Sequence, residues 1–284
     1  KNTFVYRVHD EPNLDKLEAL QSIVSKFGYK NKIDTTDKKS TSSTLNQLLK
    51  DFTSISGNKI LVHGGGRSAT AMASKLGVET KMVDGRRITD KAMLDVVTMV
   101  YGGLVNKGIV AGLQGLGCNA VGFTGADMDI IRSVKRPVKE VDYGFVGDVI
   151  DVNTKELCVM MNQGVSPVMA PLTHDGKGLL LNTNADTIAS EVAIAMSNLY
   201  NVQLNYVFEL KGVLESIEDQ NSVITEINLD KYEQLVESGV ISEGMIPKLH
   251  TSFSALKKGV QKVKIGDASL VKNEANLFTT LSLE

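Results

Sequence analysis

The sequence predicts an α/β protein whose mainly parallel sheet is covered by helices on both faces. From Leu45 onward, short apolar runs of strand length alternate with longer stretches of helical periodicity, which is typical of strands joined by crossover helices. The 284 residues are 42% hydrophobic, which is enough for a substantial core. The chain has no tryptophan but 25 glycines, which indicates that loops lined by backbone matter more than aromatic stacking.

The elements follow from the apolar pattern in chain order. The run at 59–62 predicts a buried strand that ends at His63. Helical periodicity follows as far as Lys75 and returns between about Asp90 and Val105. The later strands are predicted at 119–123, 166–170, 204–208 and 263–265. The later helices are predicted at 154–162, 187–199, 229–238 and 245–258.

The first 43 residues have a different character. A helix is predicted between Leu14 and Val24, because apolar residues recur there at helical spacing. Residues 30–43 are polar, which predicts a linker or a long exposed loop. We therefore expect an atypical N-terminal segment with a polar linker at 1–43 and a folded domain at 44–284.

Charge and cysteine content argue against several classes of protein. The 31 basic and 33 acidic residues give a net charge of -2, which disfavours a general nucleic-acid binder. Cys118 and Cys158 form no CxxC pair, so a disulfide scaffold and a thiolate zinc site are excluded. No apolar run approaches the roughly 20 residues that cross a membrane, and the first residues carry no signal-peptide core. These features predict a cytoplasmic protein with no membrane or nucleic-acid partner.

A glycine-rich turn, His63-Gly64-Gly65-Gly66, lies between a predicted strand and a predicted helix. Three glycines allow backbone N–H groups to converge, and the N-terminus of the next helix adds positive potential. We therefore predict an anion site for phosphate or carboxylate. The alternative is a turn that needs only the backbone freedom of glycine.

The same stretch loosely fits a dinucleotide fingerprint. Gly64, Gly66 and Ala69 match its spacing, and Asp84 stands where an acid that binds a ribose would be expected. However, Asp84 belongs to a predicted turn at 84–87, and the fingerprint strand normally opens its βαβ unit. No Gly-Lys-Ser/Thr follows the glycines, so this is not a Walker A loop.

Polar residues alternate in Asn182-x-Asn184-x-Asp186, between an apolar run and an apolar helix. One of them is explained as the cap of the helix. Three exceed what a cap needs, and open α/β sheets bind ligands at this edge. We therefore interpret the stretch as part of a functional site.

Two cationic features are ambiguous in isolation. Lys248 lies in the first turn of a predicted helix, where the helix dipole disfavours a cation, so it either points to solvent or meets an anion. Arg86 and Arg87 are either exposed or form a clamp for a carboxylate. The four histidines lack ligand spacing, so no metal ligand is predicted.

Five segments together resemble the amino acid kinase family, in its order and with about its spacing: 61–66, 83–89, 181–186, 211–214 and 239–248. The resemblance implies a three-layer α/β/α sandwich around a mainly parallel sheet. It implies a lobe at about 44–175 that binds an acylated glutamate and a lobe at about 176–284 that binds the nucleotide. It also implies a homodimer.

The activity that the resemblance implies is phosphorylation of the γ-carboxylate of N-acetyl-L-glutamate, or of a related compound such as N-succinylglutamate, in arginine biosynthesis. ATP enters as its Mg²⁺ complex. A glutamate-type carboxylate has a pKa near about 4.3 and is already the nucleophile at neutral pH, so no general base is required. The protein has to bring two anions together and absorb charge.

Matching the family's motifs implies a role for each candidate residue. Gly65 and Gly66 hold the acyl-amino acid or the transferring phosphoryl group. Arg87 clamps the α-carboxylate of the substrate, and Asn182 bonds its amide.

Two further residues are implied to be catalytic. Asp186 organises the site, and Lys248 neutralises charge on the transferring group. The residues implied to border the nucleotide are Glu209, Leu210, Lys211, Gly212, Val213, Leu214, Val240, Ile241 and Ser242.

The N-terminal stretch departs from the family pattern. Family members open with a strand carrying Lys-x-Gly-Gly, whose lysine bridges the phosphoryl groups, and no such motif precedes Lys59. Residues 6–29 instead resemble a short piece of the exoribonuclease R/II catalytic domain. Losing one charge-stabilising donor typically costs about 10²–10³ in rate. The alternative function is therefore a kinase-fold binding or assembly protein with impaired catalysis. A nicotinamide-dependent oxidoreductase is the third hypothesis.

Overall fold

A computed structural model of the chain describes residues 2–8, 39–83, 85–241, 245–272 and 277–284. The strands are, in chain order, β1 (Asn2–Val8), β2 (Asn58–His63), β3 (Met82–Val83), β4 (Arg86–Arg87), β5 (Ala120–Phe123), β6 (Ile131–Lys135), β7 (Gly147–Val152), β8 (Ser166–Met169), β9 (Leu172–His174), β10 (Leu180–Asn182), β11 (Asn201–Val207), β12 (Glu226–Ile227), β13 (Lys262–Gly266) and β14 (Thr279–Leu281).

The helices alternate with these strands along most of the chain. They are α1 (Lys39–Ser54), α2 (Gly66–Lys75), α3 (Lys91–Val97), α4 (Asn106–Gly115), α5 (Thr154–Asn162), α6 (Ala185–Ser197), α7 (Leu229–Glu237) and α8 (Ile246–Lys257). A π-helical segment, Thr98–Val105, joins α3 to α4.

An eight-stranded sheet in the order β12–β14–β13–β11–β1–β2–β8–β5 forms the centre of the fold. Its described pairs are parallel except β13 with β14. This confirms the α/β class and the mainly parallel sheet that the sequence predicts. Parallel strands place their carboxyl ends at one edge, which is where ligands bind in such sheets.

Side chains of the central strands alternate between two hydrophobic cores. On β1, Val5 is buried in one core and Tyr6 in the other, and Ile60 and Leu61 on β2 divide in the same way. Helices α5, α6 and α8 supply apolar residues to the first core, and α1 to α4 supply them to the second. The sheet is therefore the middle layer of the three-layer sandwich that the resemblance implies.

Residues 2–8 form β1, a central strand of this sheet. β1 pairs in parallel with β11 on one side and with β2 on the other. The division of the chain at residue 43 stays a prediction, as do the two lobes, but β1 shows that 2–8 are part of the same fold. The helix predicted between Leu14 and Val24 lies outside the described residues.

The predicted linker at 30–43 is wrong at its C-terminal end, because α1 already begins at Lys39. Leu45, Leu48 and Phe52 are buried at helical spacing, and they fix this helix against the second core. The polar residues before Leu45 do not prevent the helix from extending in the N-terminal direction. The helix predicted between about Asp90 and Val105 ends too early, because the helical stretch continues to Gly115. The other predicted boundaries differ from the observed ones by at most three residues.

The helical stretch Lys91–Gly115 is long and apolar enough to cross a membrane by length and composition. The expectation that no run reaches this length was therefore wrong. Val97, Ile109 and Leu113 in this stretch are fully buried in the second core. Its hydrophobicity is thus explained by packing inside the protein.

The described residues also form two smaller sheets. Strands β10, β9, β6 and β7 form a four-stranded sheet, and β3 and β4 form a short antiparallel hairpin. Gly85 in the hairpin turn has a φ of 70°, a conformation that favours glycine.

Candidate active site

A cleft of about 1030 Å³ opens at the carboxyl edge of the central strands. The sequence-predicted residues that line it are Gly65, Gly66, Arg87, Asn182, Asp186, Glu209, Leu210 and Lys248. They come from the end of β2, the hairpin, the end of β10, the first turns of α6 and α8, and the loop after β11. The fold thus brings together most of the candidate site, from segments more than 180 residues apart in the chain.

The glycine turn after β2 is shaped by close contact with the π-helical segment. Gly65 has a φ of 155°, and a Cβ built on it would lie only 2.5 Å from Cδ1 of Tyr101. Gly66 starts α2 and has open space around it. Packing against Tyr101 therefore requires glycine at position 65. The π-helical segment that supplies this contact is of a kind that often occurs at functional sites.

His63 and Asn106 support the glycine turn from below. Both are fully buried, and Nδ1 of His63 lies 2.6 Å from the Gly64 carbonyl oxygen. Asn106 Nδ2 donates to the Val168 carbonyl oxygen at 3.0 Å and lies 3.1 Å from His63 Nε2. Because the amide nitrogen is a donor, His63 Nε2 is the acceptor and Nδ1–H donates to Gly64. Burial lowers the pKa of His63 to about 4, which agrees with a neutral ring.

Arg87 is anchored against the start of α2. Its Nη2 donates to the Gly66 carbonyl oxygen at 3.0 Å and to Thr70 Oγ1 at 2.9 Å. Its Nη1 donates to Thr80 Oγ1 at 3.3 Å. All three acceptors are neutral, so these bonds orient the guanidinium while leaving its charge uncompensated by them.

The polar residues at 182, 184 and 186, at the end of β10 and just after it, make different contacts. Asn182 Nδ2 donates to Thr89 Oγ1 at 2.9 Å, which fixes its amide at the cleft wall. Asn184 caps α6, because its Oδ1 accepts from the backbone N–H groups of Asp186 and Thr187. The structural explanation by capping is therefore correct for Asn184, and all three polar residues line the cleft.

Asp186 and Lys248 form the charged floor of the cleft. Lys248 Nζ lies 3.9 Å from Asp186 Oδ2 and 4.7 Å from the ring centroid of Phe208. Burial lowers the pKa of Lys248, and the neighbouring Asp186 carboxylate opposes that shift. The sequence left open whether Lys248 points to solvent or meets an anion, and the structure places it beside Asp186.

The residues predicted to border the nucleotide are only partly at the cleft. Glu209 and Leu210 line it, and Glu209 Oε1 accepts from Arg67 Nη1 at 3.3 Å. Lys211 Nζ donates to Asn221 Oδ1 at 2.8 Å. Val240 is partly exposed outside the cleft lining, and Ser242 lies outside the described residues.

Packing explains the positions of the other residues that were predicted to border the nucleotide. Gly212 lies against Thr279, since a Cβ on it would be 2.7 Å from Thr279 Oγ1. Val213, Leu214 and Ile241 are buried in the structure and do not line the cleft. Their predicted contact with a nucleotide stays a prediction.

Three arginines of the cleft lining were missed by sequence reasoning. Arg7 precedes the last residue of β1, Arg67 follows the glycine turn, and Arg136 lies in the loop after β6. Arg136 makes a two-pronged ion pair with Asp148, with its closest contact at 2.6 Å. A lone arginine inside an otherwise apolar strand was the available signal for Arg7.

The electrostatic balance of the cleft favours anions. Six basic side chains line it, namely Arg7, Arg67, Arg86, Arg87, Arg136 and Lys248. The lining carboxylates are Asp186 and Glu209. Such an excess of cations with converging backbone donors suits a ligand with several phosphate or carboxylate groups. Within the part of the chain that the structure describes, no group of three or more potential metal ligands is found.

Comparison with known sequences relates most of the chain to one family. The profile of the amino acid kinase family matches residues 21–267. The chain is 63% identical over 229 residues to an acetylglutamate kinase of Phocaeicola vulgatus, covering 81% of this chain and 89% of that protein. It is 64% identical over 231 residues to an acetylglutamate kinase of Bacteroides thetaiotaomicron, covering 81% of this chain and 90% of that protein.

Solved structures share the architecture at much lower sequence identity. The structure of smu.665 from Streptococcus mutans matches with a TM-score of 0.72 at 22% identity, covering 99% of both chains. Carbamate kinase from Giardia lamblia matches with a TM-score of 0.65 at 12% identity, covering 99% of this chain and 98% of that one. At these identities the structures bear on the fold alone, and they confirm the predicted three-layer sandwich.

Proposed function

We propose, because the chain belongs to the amino acid kinase family, that it uses ATP to phosphorylate the γ-carboxylate of N-acetylglutamate, a step of arginine biosynthesis. The closely similar relatives are named acetylglutamate kinase, and the alignments cover about four fifths of this chain. The enzyme is accordingly a phosphotransferase with a carboxyl group as acceptor.

One structural observation supports this proposal independently of the names of the relatives. Gly65, Arg87, Asn182 and Lys248 line one cleft although they come from four separate parts of the chain. A cavity that gathers backbone donors, an anchored guanidinium and a lysine can hold two anions close to each other.

The reaction that this site would catalyse involves no proton transfer. A γ-carboxylate oxygen of the substrate forms a bond to the γ-phosphorus of ATP. The bond from that phosphorus to the β,γ-bridging oxygen breaks, and its electron pair stays with ADP. The acyl phosphate and ADP therefore balance the carboxylate and ATP. Catalysis consists of alignment and of stabilising the charge in the transition state.

Each predicted substrate residue has a geometry that suits its role. Arg87 is held by the first turn of α2 and would clamp the α-carboxylate of the acylglutamate. Asn182 is oriented by Thr89 and would bond to the amide of the substrate. Gly65 and Gly66 would present backbone N–H groups to the acylglutamate or the phosphoryl group.

Asp186 and Lys248 would serve the transferring group. Lys248 supplies positive charge, and Asp186 holds that charge in place from 3.9 Å. Glu209 and Leu210, which also line the cleft, would border the nucleotide together with the predicted residues 211–214 and 240–242.

ATP would bind as its Mg²⁺ complex. Mg²⁺ prefers to keep several waters and to be held by one or two carboxylates together with substrate phosphates. The carboxylates of the described cleft lining, Asp186 and Glu209, already face Arg7, Lys248 and Arg67, so the ion would be held chiefly by the phosphates and its own waters. The ion would supply charge neutralisation at the β- and γ-phosphates.

The test is a kinase assay that compares two phosphoryl acceptors. N-acetylglutamate and N-succinylglutamate would each be incubated with MgATP, and the acyl phosphate would be trapped as a hydroxamate while ADP is measured. Equal yields of hydroxamate and ADP support the proposal, and the better substrate identifies the acyl group. ATP binding without hydroxamate would favour the binding or assembly protein instead.

The cytoplasmic location and the homodimer are part of the same proposal. Light scattering on the purified protein would test the dimer, since a monomeric mass for the active enzyme would contradict it.

A further inference from the structure

We propose that Arg7 is a catalytic residue whose guanidinium contacts the phosphoryl group during transfer; this inference rests on the proposed kinase function. The sequence carries no Lys-x-Gly-Gly motif before Lys59, and the expected consequence was the loss of a cation from the first strand. The structure places Arg7 on that strand and in the lining of the cleft.

The register of the sheet sets the position of Arg7. Its Cα is paired with Val62 on β2 and with Tyr206 on β11, so Arg7 lies level with the last residues before the glycine turn. The guanidinium lies beside that turn, in the same cleft lining as Gly64. A Cβ built on Gly64 would lie 3.4 Å from Arg7 Nη2. The strand thus delivers the cation to the carboxyl edge, beside the backbone donors of the anion site.

Arg7 is a buried cation, and its neighbours show how its charge is compensated. The residue is only 5% exposed, and a buried guanidinium is costly unless it is paired. Arg7 Nε lies 2.8 Å from Asp186 Oδ1, and Asp186 also faces Lys248 at 3.9 Å. These three side chains carry two positive charges and one negative charge. Among these described side chains the positive charges outnumber the negative one, which favours an entering anion.

The contacts of Arg7 distinguish its nitrogen atoms. Nε faces Asp186, and Nη1 donates to the Val8 carbonyl oxygen. Of the Arg7 atoms, Nη2 would come closest, at 3.4 Å, to a Cβ built on Gly64, so it lies on the side of the glycine turn. One ion pair and one hydrogen bond thus orient the guanidinium, and its planar donors match phosphate oxygens.

In the transfer step, the charge of Arg7 would act on the oxygens of the moving phosphoryl group. The carboxylate oxygen forms the new bond to phosphorus as the bond to the bridging oxygen of ADP breaks, and Arg7 neither gives nor takes a proton. Its contribution is electrostatic, and it grows as charge is redistributed in the transition state. Arg7 and Lys248 would approach the group together, with Asp186 holding both.

The decisive comparison is between Arg7→Gln, Arg7→Lys and a matched control. Lys59 is a buried cation on the neighbouring strand that bonds the Thr53 and Ile55 carbonyl oxygens, away from the cleft lining, so Lys59→Met controls for loss of a buried strand cation. We expect Arg7→Gln to lower kcat about 10²-fold or more, with a smaller change in KM for N-acetylglutamate. Arg7→Lys should stay within about tenfold of the wild type.

A chemical-rescue measurement separates catalysis from a structural role. Added guanidinium ion should raise kcat of Arg7→Gln and leave kcat of Lys59→Met unchanged. If folded Arg7→Gln turns over at nearly the wild-type rate, Arg7 is not catalytic although the kinase assignment stands. If the wild-type protein phosphorylates neither acylglutamate, the proposed function itself is overturned, and the role of Arg7 with it.

A second measurement covers the case in which Arg7→Gln does not fold. In the wild-type protein, the guanidinium nitrogen resonance of Arg7 is assigned by its disappearance in Arg7→Lys. That resonance should shift when a non-hydrolysable ATP analogue and N-acetylglutamate bind together. An unmoved resonance at saturating ligand would overturn the proposal.

Discussion

The ring of Tyr101 occupies the space that a side chain at position 65 would need. A Cβ built on Gly65 would lie 2.5 Å from Tyr101 Cδ1 and 2.7 Å from Cε1. The shape of the anion-binding turn after β2 therefore depends on a tertiary contact with the π-helical segment.

Gly65→Ala should destabilise the protein and damage its site. The new methyl group must displace the Tyr101 ring, and overpacking of this kind costs about 1–3 kcal/mol. Urea unfolding would measure the loss. The control is Gly103→Ala, an exposed position of the same π-helical segment with open space around it, which should be no less stable than the wild type. An unchanged midpoint for Gly65→Ala would show that the turn adapts.

Lys248→Ala should lower turnover far more than it alters substrate affinity. Its ammonium group stands over Asp186 and Phe208 at the cleft floor, and its charge matters most in the transition state. We expect kcat to fall about 10²–10³-fold. Steady-state kinetics would be compared with Lys257→Ala, an exposed lysine at the other end of α8. Unaltered turnover in Lys248→Ala would remove this residue from the mechanism.

Arg87→Ala should chiefly weaken binding of the acylglutamate. Hydrogen bonds to charged groups contribute about 1.5–3 kcal/mol, so KM should rise roughly 10- to 100-fold. The change in kcat should be smaller. Lys81→Ala is the control, because this exposed cation precedes the same hairpin and pairs with Glu79. A normal Michaelis constant in Arg87→Ala would contradict the clamp.

The stability of the protein should decrease as the pH falls below about 6.5. The pKa of His63 is lowered from 6.5 to about 4 by burial, so the unfolded chain gains a proton in this range and the native protein does not. The unfolded state binds more protons between these two pKa values. The free energy of unfolding therefore falls by about 3 kcal/mol as the pH decreases from 6.5 to about 4. Urea unfolding at pH 7, 6 and 5 would follow this loss.

Substitutions assign that pH dependence to a residue. His63→Gln should flatten the decrease between pH 7 and 5, since it removes the titrating group. His250→Gln, at an exposed position on α8, should keep the wild-type slope. Equal slopes in all three proteins would place the proton uptake elsewhere.

The amino-acid sequence by itself determined the α/β class and most of the candidate site. Alternating apolar runs and helical stretches predict the layered sheet, because each strand must bury both faces. Glycines at a strand–helix junction and the polar stretch at 182–186 are local patterns that can be recognised without coordinates. The ordered set of segments identified the family.

Tertiary structure alone decided what the N-terminal strand contributes. In the sequence, residues 2–8 read only as part of an atypical segment, and nothing local shows which strands lie beside them. Pairing with β2 and β11 puts Arg7 at the carboxyl edge, next to Asp186 and 179 positions before it in the chain. The physical reason is that strand order and register are set by long-range packing, whereas the sequence pattern reports only local periodicity. The same limit explains Tyr101, whose contact with Gly65 joins segments that no motif connects.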